Sequence, residues 1–179
     1  MNFFTKRKLK NCNPDEIDFF TLEGKKVYAR IDTAYDGDSC TLIIPIHKKL
    51  KKVKCRLNRI DTAEIRTKDP LEKEYAIKAR DRLLFFKPEI LVASFSEADK
   101  YGRYLVDLYT EDELCINNML VLEGLAYKYD GGTKREFSDW VKDSEHMPRN
   151  LTEILRTSHK PEKRVGLFSW LRRRFQYTN

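Results

Sequence analysis

The sequence lacks the long apolar segments that would place it in or across a membrane. No run of about 18 apolar residues occurs in it, so no segment resembles a transmembrane helix. Its first stretch, MNFFTKRKLKNCNPDEIDFF, has no apolar core of the kind found in secretory signals. We therefore expect an intracellular protein without a transmembrane segment.

Cysteine is scarce, and its spacing argues against a zinc site. Cys12, Cys40, Cys55 and Cys115 form no CxxC pair and have no histidine cluster near them, although zinc sites depend on such closely spaced ligands. Because no secretory signal is found, reduced and buried thiols are favoured over disulfides.

Charge is abundant but unevenly distributed. Asp, Glu, Lys and Arg make up 35% of the residues, above the average of about 25%. Three basic segments, residues 1–10, 48–56 and 160–174, together carry +15, so the remainder of this +7 chain carries −8. An acidic body with basic patches favours contact with a polyanion at particular places, although terminal charge runs are also typical of solvated tails.

The first half of the chain predicts three consecutive strands. Lys26–Tyr35 is rich in β-branched residues, Asp-Gly-Asp then bends the chain, and Ser39–Ile46 resumes as a strand. The lysine-rich stretch that follows is predicted as a connection. Val53–Ile60 alternates apolar and polar residues, which is typical of a half-buried strand. The three strands predict a β-meander.

A helix with recognisable ends comes next. Asp69 is the predicted N-cap, Pro70 takes the first helical position, and Glu72 completes a capping box. Leu71 belongs to a helically spaced apolar row, and Pro88 ends the element.

The remaining patterns complete the predicted fold. Ile90–Phe95 and Arg103–Thr110 predict two strands, and Leu114–Glu123 predicts a helix that Gly124 ends. Residues 135–158 contain further helical patches, with a possible cap at Asn150–Glu153. We expect an α+β, mainly β protein: a five-stranded OB-type barrel with about three packed helices.

Two acidic clusters interrupt the strands. Asp36 and Asp38 flank a glycine in AYDGDS, and Asp61 and Glu64 lie in CRLNRIDTAEIR. An isolated Asp-Gly-Asp is more often an ordinary turn. A second cluster at the end of a nearby strand favours a site for a hard divalent cation, which prefers oxygen ligands.

Two arginines accompany these acids. Arg56 lies on the strand that leads to Asp61, and Arg103 begins another strand. Any single arginine is more often part of a surface salt bridge. Beside a metal and a glutamate, however, the pair is suited to phosphate esters, because guanidinium groups bind phosphate oxygens in a bidentate manner.

Taken in order, the motifs DGDS, RLNRIDTAE, DKYGR and NNMLVLEGLA resemble the staphylococcal nuclease (thermonuclease) family. The resemblance covers residues 26–129, with a looser echo in GLFSW at 166–170. It implies an OB-type barrel with three helices. We expect a basic N-terminal extension over residues 1–24, the nuclease-like domain over 25–170 and a basic tail over 171–179.

The resemblance also implies a calcium site. Asp38 and Asp61 would ligate Ca²⁺ together with the main-chain carbonyl of Thr62. Asp36 would lie just outside this shell and orient it.

The other matched positions imply roles in catalysis and binding. Glu64 would position or deprotonate the attacking water, and Arg56 and Arg103 would clamp the phosphodiester. Lys100 and Tyr101 would contact a neighbouring phosphate and sugar.

The family resemblance therefore implies a monomeric, calcium-dependent endonuclease, a hydrolase that cuts DNA, RNA or both and leaves 3′-phosphates. The alternative is a catalytically silent nucleic-acid-binding module. The complete set of acids and arginines favours the enzyme. A group of exposed charges is expected to guide the substrate: Lys48, Lys49, Lys51 and Lys52.

Several positions depart from the family pattern. Ser39 replaces a threonine and keeps its hydroxyl, whereas Ala63 replaces a proline and would loosen the loop that holds Glu64. Tyr127 and Tyr129 are out of register, and either face the barrel or stack on a base. DGGTKREFSDW also departs from the pattern. The tail at 163–176 either contacts a membrane or packs on the barrel.

Overall fold

The computed structural model describes residues 3–145, with side chains through residue 142. The strands of this part are β1 (Lys26–Ala34), β2 (Ser39–Ile46), β3 (Lys49–Leu57), β4 (Ile60–Asp61), β5 (Leu91–Ala98), β6 (Tyr104–Tyr109) and β7 (Tyr127–Lys128). Its α-helices are α1 (Phe3–Asn11), α2 (Pro70–Leu84), α3 (Ile116–Leu122) and α4 (Phe137–Glu145), and one 3₁₀ turn covers Pro14–Glu16.

Five strands close into a barrel in the order β1-β2-β3-β6-β5. The predicted meander is present, since β1 pairs antiparallel with β2 and β2 with β3. A parallel pairing of β3 with β6 closes the barrel, and β4 and β7 form a separate antiparallel pair. The prediction of an α+β, mainly β fold built on a five-stranded OB-type barrel is confirmed.

The barrel interior follows the period of two in the strand sequences. Cys40, Leu42 and Ile44 of β2 are buried, and Cys55 and Leu57 of β3 join them in the main core. Side chains that alternate between the two faces of a strand produce this arrangement. The apolar residues at every second position of the strands therefore form the barrel part of the core.

The cysteines follow the prediction only in part. Cys40 and Cys55 are free and buried, as expected. Cys12, however, is exposed, and Cys115 is half-buried. Cys12 follows directly after α1, a helix in which no residue is buried.

Helix α2 begins as predicted, but its cap differs in one bond. The Asp69 carboxylate accepts hydrogen bonds from the backbone N–H groups of Leu71 and Glu72, and Pro70 takes the first position. The second bond of a capping box, from the backbone N–H of Asp69 to the side chain of Glu72, is not among the bonds observed. Glu72 instead accepts from the backbone N–H of Glu64, with an N–O distance of 3.3 Å. The start of α2 is thereby tied to the loop that carries Glu64.

The buried face of α2 consists of Ala76, Ala79 and Leu83. Leu71, predicted on this face, is 50% exposed. With 3.6 residues per turn, a row of residues four apart drifts around the helix. Leu71 lies eight residues before Ala79, so this drift turns its side chain away from the buried face of α2 and from the barrel.

The lysine-rich stretch is mostly strand, so its prediction as a connection was wrong. Only His47 and Lys48 form the turn, with φ of 47° and 66°, and β3 begins at Lys49. Two successive left-handed residues make the tight reversal that suits an antiparallel hairpin. The lysines after the turn can therefore pair with β2, from Lys49 opposite Ile46 onward.

Asn117 on α3 anchors the turn between β3 and β4. Its buried amide donates to the backbone carbonyls of Asn58 and Val106 at 3.1 and 3.0 Å. A buried amide with these bonds fixes the turn against the barrel wall. The ends of β3 and β4, which carry Arg56 and Asp61, are consequently held beside each other.

Three of these helices bury side chains against the rest of the fold. Helices α2 and α3 contribute to the main core, while Trp140 of α4 packs with Ala63, Ala76 and Tyr127 in a second cluster outside the barrel. No α-helix within residues 3–145 is long and apolar enough to cross a membrane. The possible cap at Asn150–Glu153, the GLFSW segment and the basic tail lie outside the described residues.

Gly37 provides the first test of this packing. A Cβ at this position would lie 2.5 Å from the Cβ of Ala79 on α2 and 2.9 Å from Cγ2 of Thr62. We expect Gly37→Ala to lower the free energy of unfolding by about 1–3 kcal/mol, because helix and turn must separate to admit the methyl group. Urea denaturation would measure this loss.

The matched control is Gly132→Ala, where the nearest atom to the added Cβ would be 3.5 Å away. It should change stability by less than about 0.5 kcal/mol. Equal stability of the two variants would contradict the close approach of α2 to the acidic turn.

Candidate active site

Both acidic clusters meet at one end of the barrel. Asp36 and Asp38 lie in the turn between β1 and β2, and Asp61 ends β4; all three carboxylates are buried. The close contacts of Gly37 with α2 and Thr62 hold the first cluster against the second. The two acidic clusters that interrupt the strands in the sequence thus lie beside each other in the fold.

The guanidinium of Arg56 connects the two clusters. Its Nη2 lies 2.7 Å from Oδ2 of Asp38 and 2.5 Å from Oδ1 of Asp61, and its Nη1 donates to the carbonyl of Ile60 at 2.8 Å. The ring of Tyr129 covers it at 5.5 Å. Burial opposes ionisation, but the charges of Asp38 and Asp61 raise the pKa of Arg56 above its usual value.

Asp38 and Asp36 concentrate negative charge where water is excluded. Burial raises the pKa of Asp38; Arg56 opposes this shift, and the neighbouring charge of Asp36 adds to it. The Ser39 hydroxyl donates to Oδ1 of Asp38 at 2.8 Å. Oδ1 of Asp36 is buried and has no hydrogen-bond partner among the described residues. Positive charge beside this pair, such as that of Arg56, favours the ionised form of Asp38.

Arg103 reaches the same turn from the start of β6, the strand that pairs with β3. Its Nη1 donates to Ser39 Oγ at 3.1 Å, while Nε and Nη2 bind Oδ2 of Asp99 at 2.8 and 2.7 Å. Asp99 also accepts the backbone N–H groups of Tyr101 and Arg103. Burial works against these bonds, yet together they lower the pKa of Asp99. Asp99 thus fixes the direction of the Arg103 side chain.

Glu64 lies at the rim of the site, with its side chain 52% exposed. Its Oε1 binds the ammonium of Lys134 at 2.6 Å, and the same ammonium lies 3.1 Å from Oδ1 of Asp61. Burial opposes the positive charge, but Glu64 and Asp61 raise the pKa of Lys134. Lys134 belongs to the DGGTKREFSDW segment that departs from the family pattern.

The two tyrosines after α3 occupy different environments. Tyr127 is buried in the second cluster with Trp140, and its hydroxyl donates to Oδ2 of Asp61 at 2.7 Å. Burial and this bond raise the pKa of Tyr127 to about 12. Tyr129 lines the site and donates to the carbonyl of Gly132 at 2.7 Å. Neither belongs to the barrel core, so their interpretation as barrel-facing aromatics was wrong.

An open pocket of about 700 Å³ joins these groups. The site residues predicted from sequence that line it are Asp36, Asp38, Arg56, Glu64, Lys100, Tyr101 and Arg103. Asp61 and Thr62 lie buried behind it. The pocket therefore places carboxylates, guanidinium groups and an exposed aromatic ring around one space.

The predicted substrate-guiding lysines lie elsewhere. Within the described residues, the pocket lining does not include Lys48, Lys49, Lys51 or Lys52. Lys49 is seven positions from Arg56 along β3, roughly 20 Å at the rise of an extended strand. Lys52 forms an ion pair with Asp32 at 2.7 Å. These lysines form a separate basic surface on the β2–β3 hairpin.

The donor set is chemically suited to a hard divalent cation. Two buried carboxylates at Asp36 and Asp38, one with an unpartnered oxygen, face the Asp61 carboxylate across Arg56. Oxygen ligands of this kind are those that Ca²⁺ prefers. Within residues 3–145, no group of three or more histidine, cysteine or acidic residues is arranged to hold a metal as it stands. Arg56 and Lys134 supply the positive charge instead.

The sequence of this region carries a family signature. A model of the staphylococcal nuclease homologues matches residues 54–151, more than half of the chain. The chain belongs to the staphylococcal nuclease family. A search of curated proteins finds no match. Family membership supports a nuclease-type or nucleic-acid-binding domain, and the barrel with its pocket is the matching structure.

Three residues at the site were not identified from sequence. Asp99 was detectable, because an aspartate before Lys-Tyr-Gly is typical of a turn in which its carboxylate accepts backbone N–H groups. Tyr127 and Lys134 had no such signal. They contact Asp61 from 66 and 73 positions away along the chain.

Tyr127→Phe tests the support of Asp61. The variant keeps the ring beside Trp140 but leaves Oδ2 of a buried carboxylate without its donor. We expect a loss of about 1–3 kcal/mol in the free energy of unfolding, measured by urea denaturation.

Tyr28→Phe is the matched control, since this tyrosine on β1 is 65% exposed. Its stability should remain within about 0.5 kcal/mol of the parent protein. A loss for Tyr127→Phe no greater than that of the control would show that the bond to Asp61 contributes nothing.

Proposed function

We propose that the protein is a calcium-dependent endonuclease that hydrolyses phosphodiester bonds in DNA, RNA or both and leaves 3′-phosphate ends. The observation that supports this most is the convergence of acids and arginines from separate elements on one open pocket. Asp38 follows β1, Arg56 lies near the end of β3 and Arg103 precedes β6, while Asp61 at the end of β4 lies buried behind the pocket. Family membership agrees with the proposal.

The two arginines suit the role of a phosphate clamp. They approach the pocket from opposite sides of Asp38 and Ser39. Arg56 is held by Asp38, Asp61 and Tyr129, and Arg103 by Asp99, so each guanidinium is oriented before a substrate arrives. Donors that are already oriented stabilise charge on a phosphoryl group without a reorganisation cost.

Glu64 is the proposed general base. Its carboxylate is half exposed at the rim of the pocket, where water can reach it. The hydrogen bond from its backbone N–H to Glu72 ties its loop to α2, which compensates for the alanine at position 63. Ca²⁺ held by Asp38 and Asp61, with the Thr62 carbonyl and with Asp36 behind them, would neutralise charge on the phosphodiester.

Tyr101 and Lys100 extend the pocket outward. Tyr101 is 72% exposed, and Lys100 and Arg103 lie 5.2 and 5.6 Å from its ring. An exposed aromatic ring between cations suits a sugar or base next to a phosphate. We assign this edge of the pocket to the nucleotide adjacent to the scissile bond.

A specific observation also supports a second candidate, a domain that binds nucleic acid without cutting it. The carboxylates are already neutralised by Arg56 and Lys134. A protein arranged in this way can hold a strand without divalent metal. Binding that persists in excess chelator, without cleavage, would support this alternative.

Cleavage of end-labelled single-stranded DNA and RNA tests the enzyme, with Ca²⁺, Mg²⁺ or excess chelator. We expect Ca²⁺-dependent cutting that yields 3′-phosphates. Glu64→Gln should lower the rate by about 10²–10⁴-fold, and Arg103→Ala by about 10²–10³-fold. Asp38→Ala should abolish the Ca²⁺-dependent cutting, because a ligand of the cation is lost.

Arg80→Ala is the control, because Arg80 pairs with its neighbour Asp81 on the surface of α2 outside the pocket. It should cleave at the parental rate. Cleavage by Glu64→Gln at the parental rate, or cleavage by the parent protein in excess chelator, would refute the assigned roles.

The hairpin lysines give a prediction about binding. If they contact phosphates, changing Lys48, Lys49, Lys51 and Lys52 to Gln should reduce the slope of log affinity against log salt by about 0.7 for each contact to a single strand. Fluorescence anisotropy at several salt concentrations would measure the slope. Lys68 and Lys73 changed to Gln serve as the control, and a slope unaffected by the hairpin changes would show that these lysines only solvate the strand.

A further inference from the structure

The Asp61 carboxylate is already bound by three donors. Its Oδ1 is bound by Arg56 and by Lys134, with Nζ of Lys134 at 3.1 Å, and its Oδ2 accepts from Tyr127. The Asp61 side chain is only 4% exposed. Oδ1 already has two donors, so a cation that binds this oxygen must replace Arg56 or Lys134.

Two of the three groups are firmly held. The Arg56 side chain is 11% exposed, also binds Asp38 and the Ile60 carbonyl, and lies against Tyr129. The hydroxyl of Tyr127 is fixed by the ring, which packs in the second cluster beside Trp140. Moving either one would disturb buried packing.

Lys134 differs from both. Its side chain is 50% exposed and extends from the connection between β7 and α4, which contains Gly131 at φ 98° and Gly132. A lysine side chain is flexible and strongly hydrated, so its ammonium can transfer to water at little cost. Of the three groups on Asp61, Lys134 is the one free to leave.

We propose that Lys134 is a displaceable internal counter-ion of Asp61 and that it lowers the affinity of the site for divalent cations. The proposal rests on the function proposed above, since it takes Asp61 to be a cation ligand. The same ammonium binds Glu64 at 2.6 Å. A single movement of Lys134 would therefore release both the cation ligand and the proposed general base.

Calcium binding to the full-length protein, stripped of metal by chelator, tests this directly. Isothermal titration with CaCl₂ would compare the parent protein with Lys134→Met, which keeps an unbranched side chain, one atom shorter, but removes its charge. We expect Ca²⁺ to bind about tenfold more tightly to the variant, because a positive charge next to the site no longer opposes it.

Two further variants separate this effect from a structural one. Lys134→Arg retains the charge and should keep the parental affinity. Lys73→Met removes an exposed lysine from α2, outside the pocket, and should also bind as the parent does. Thermal melting gives a second readout: Ca²⁺ should raise the melting temperature of Lys134→Met more than that of the parent.

Each outcome decides the proposal. Tighter binding by Lys134→Met supports it, and so does binding by Lys134→Met alone, which would also show that the parent protein does not work through Ca²⁺. Unchanged or weaker binding by the variant, with binding by the parent, overturns the counter-ion role and leaves the proposed function intact. If neither protein binds Ca²⁺, both the counter-ion role and the calcium-dependent function are wrong.

Discussion

The contact of one guanidinium with two buried carboxylates is the interaction on which the rest of this site depends. Arg56 lies between Asp38, which follows β1, and Asp61, at the end of β4. Without it, like charges would face each other where water is excluded, and removing one partner of such a buried group costs about 3–5 kcal/mol. The barrel brings these strand ends together, and the positive charge of Arg56 offsets the repulsion between their carboxylates.

The same arrangement explains why the site is both charged and ordered. Its cations and anions are paired across elements: Arg103 with Asp99 and Ser39, and Lys134 with Asp61 and Glu64. Each pair fixes a side chain that a phosphodiester or a cation would engage. Groups held in place in this way lose little entropy on binding, which is the general basis of preorganised sites. Several carboxylates can therefore lie in the site that we propose for a polyanion.

Prediction from sequence succeeded where local rules decide the structure. The alternation of Val53, Cys55 and Leu57 indicated a half-buried strand, and Asp69 with Pro70 marked the start of α2. Prediction from sequence failed where contacts with a distant part of the chain override the local pattern. The lysines of β3 are exposed and repel one another, yet they form a strand because β2 provides the partner. Glu72 has the spacing of a capping box, but it bonds to the Glu64 loop instead.

The sequence by itself determined the barrel, its order of elements and the acids and arginines that surround the pocket, because strand periodicity, helix caps and short motifs are encoded by neighbouring residues. Only the tertiary structure decided how the charges of those residues are balanced. Tyr127 and Lys134 reach Asp61 from a segment that follows α3, and Trp140 of α4 supports them through the second cluster. Contacts between residues so distant along the chain depend on how the barrel and α4 pack, which no local pattern records.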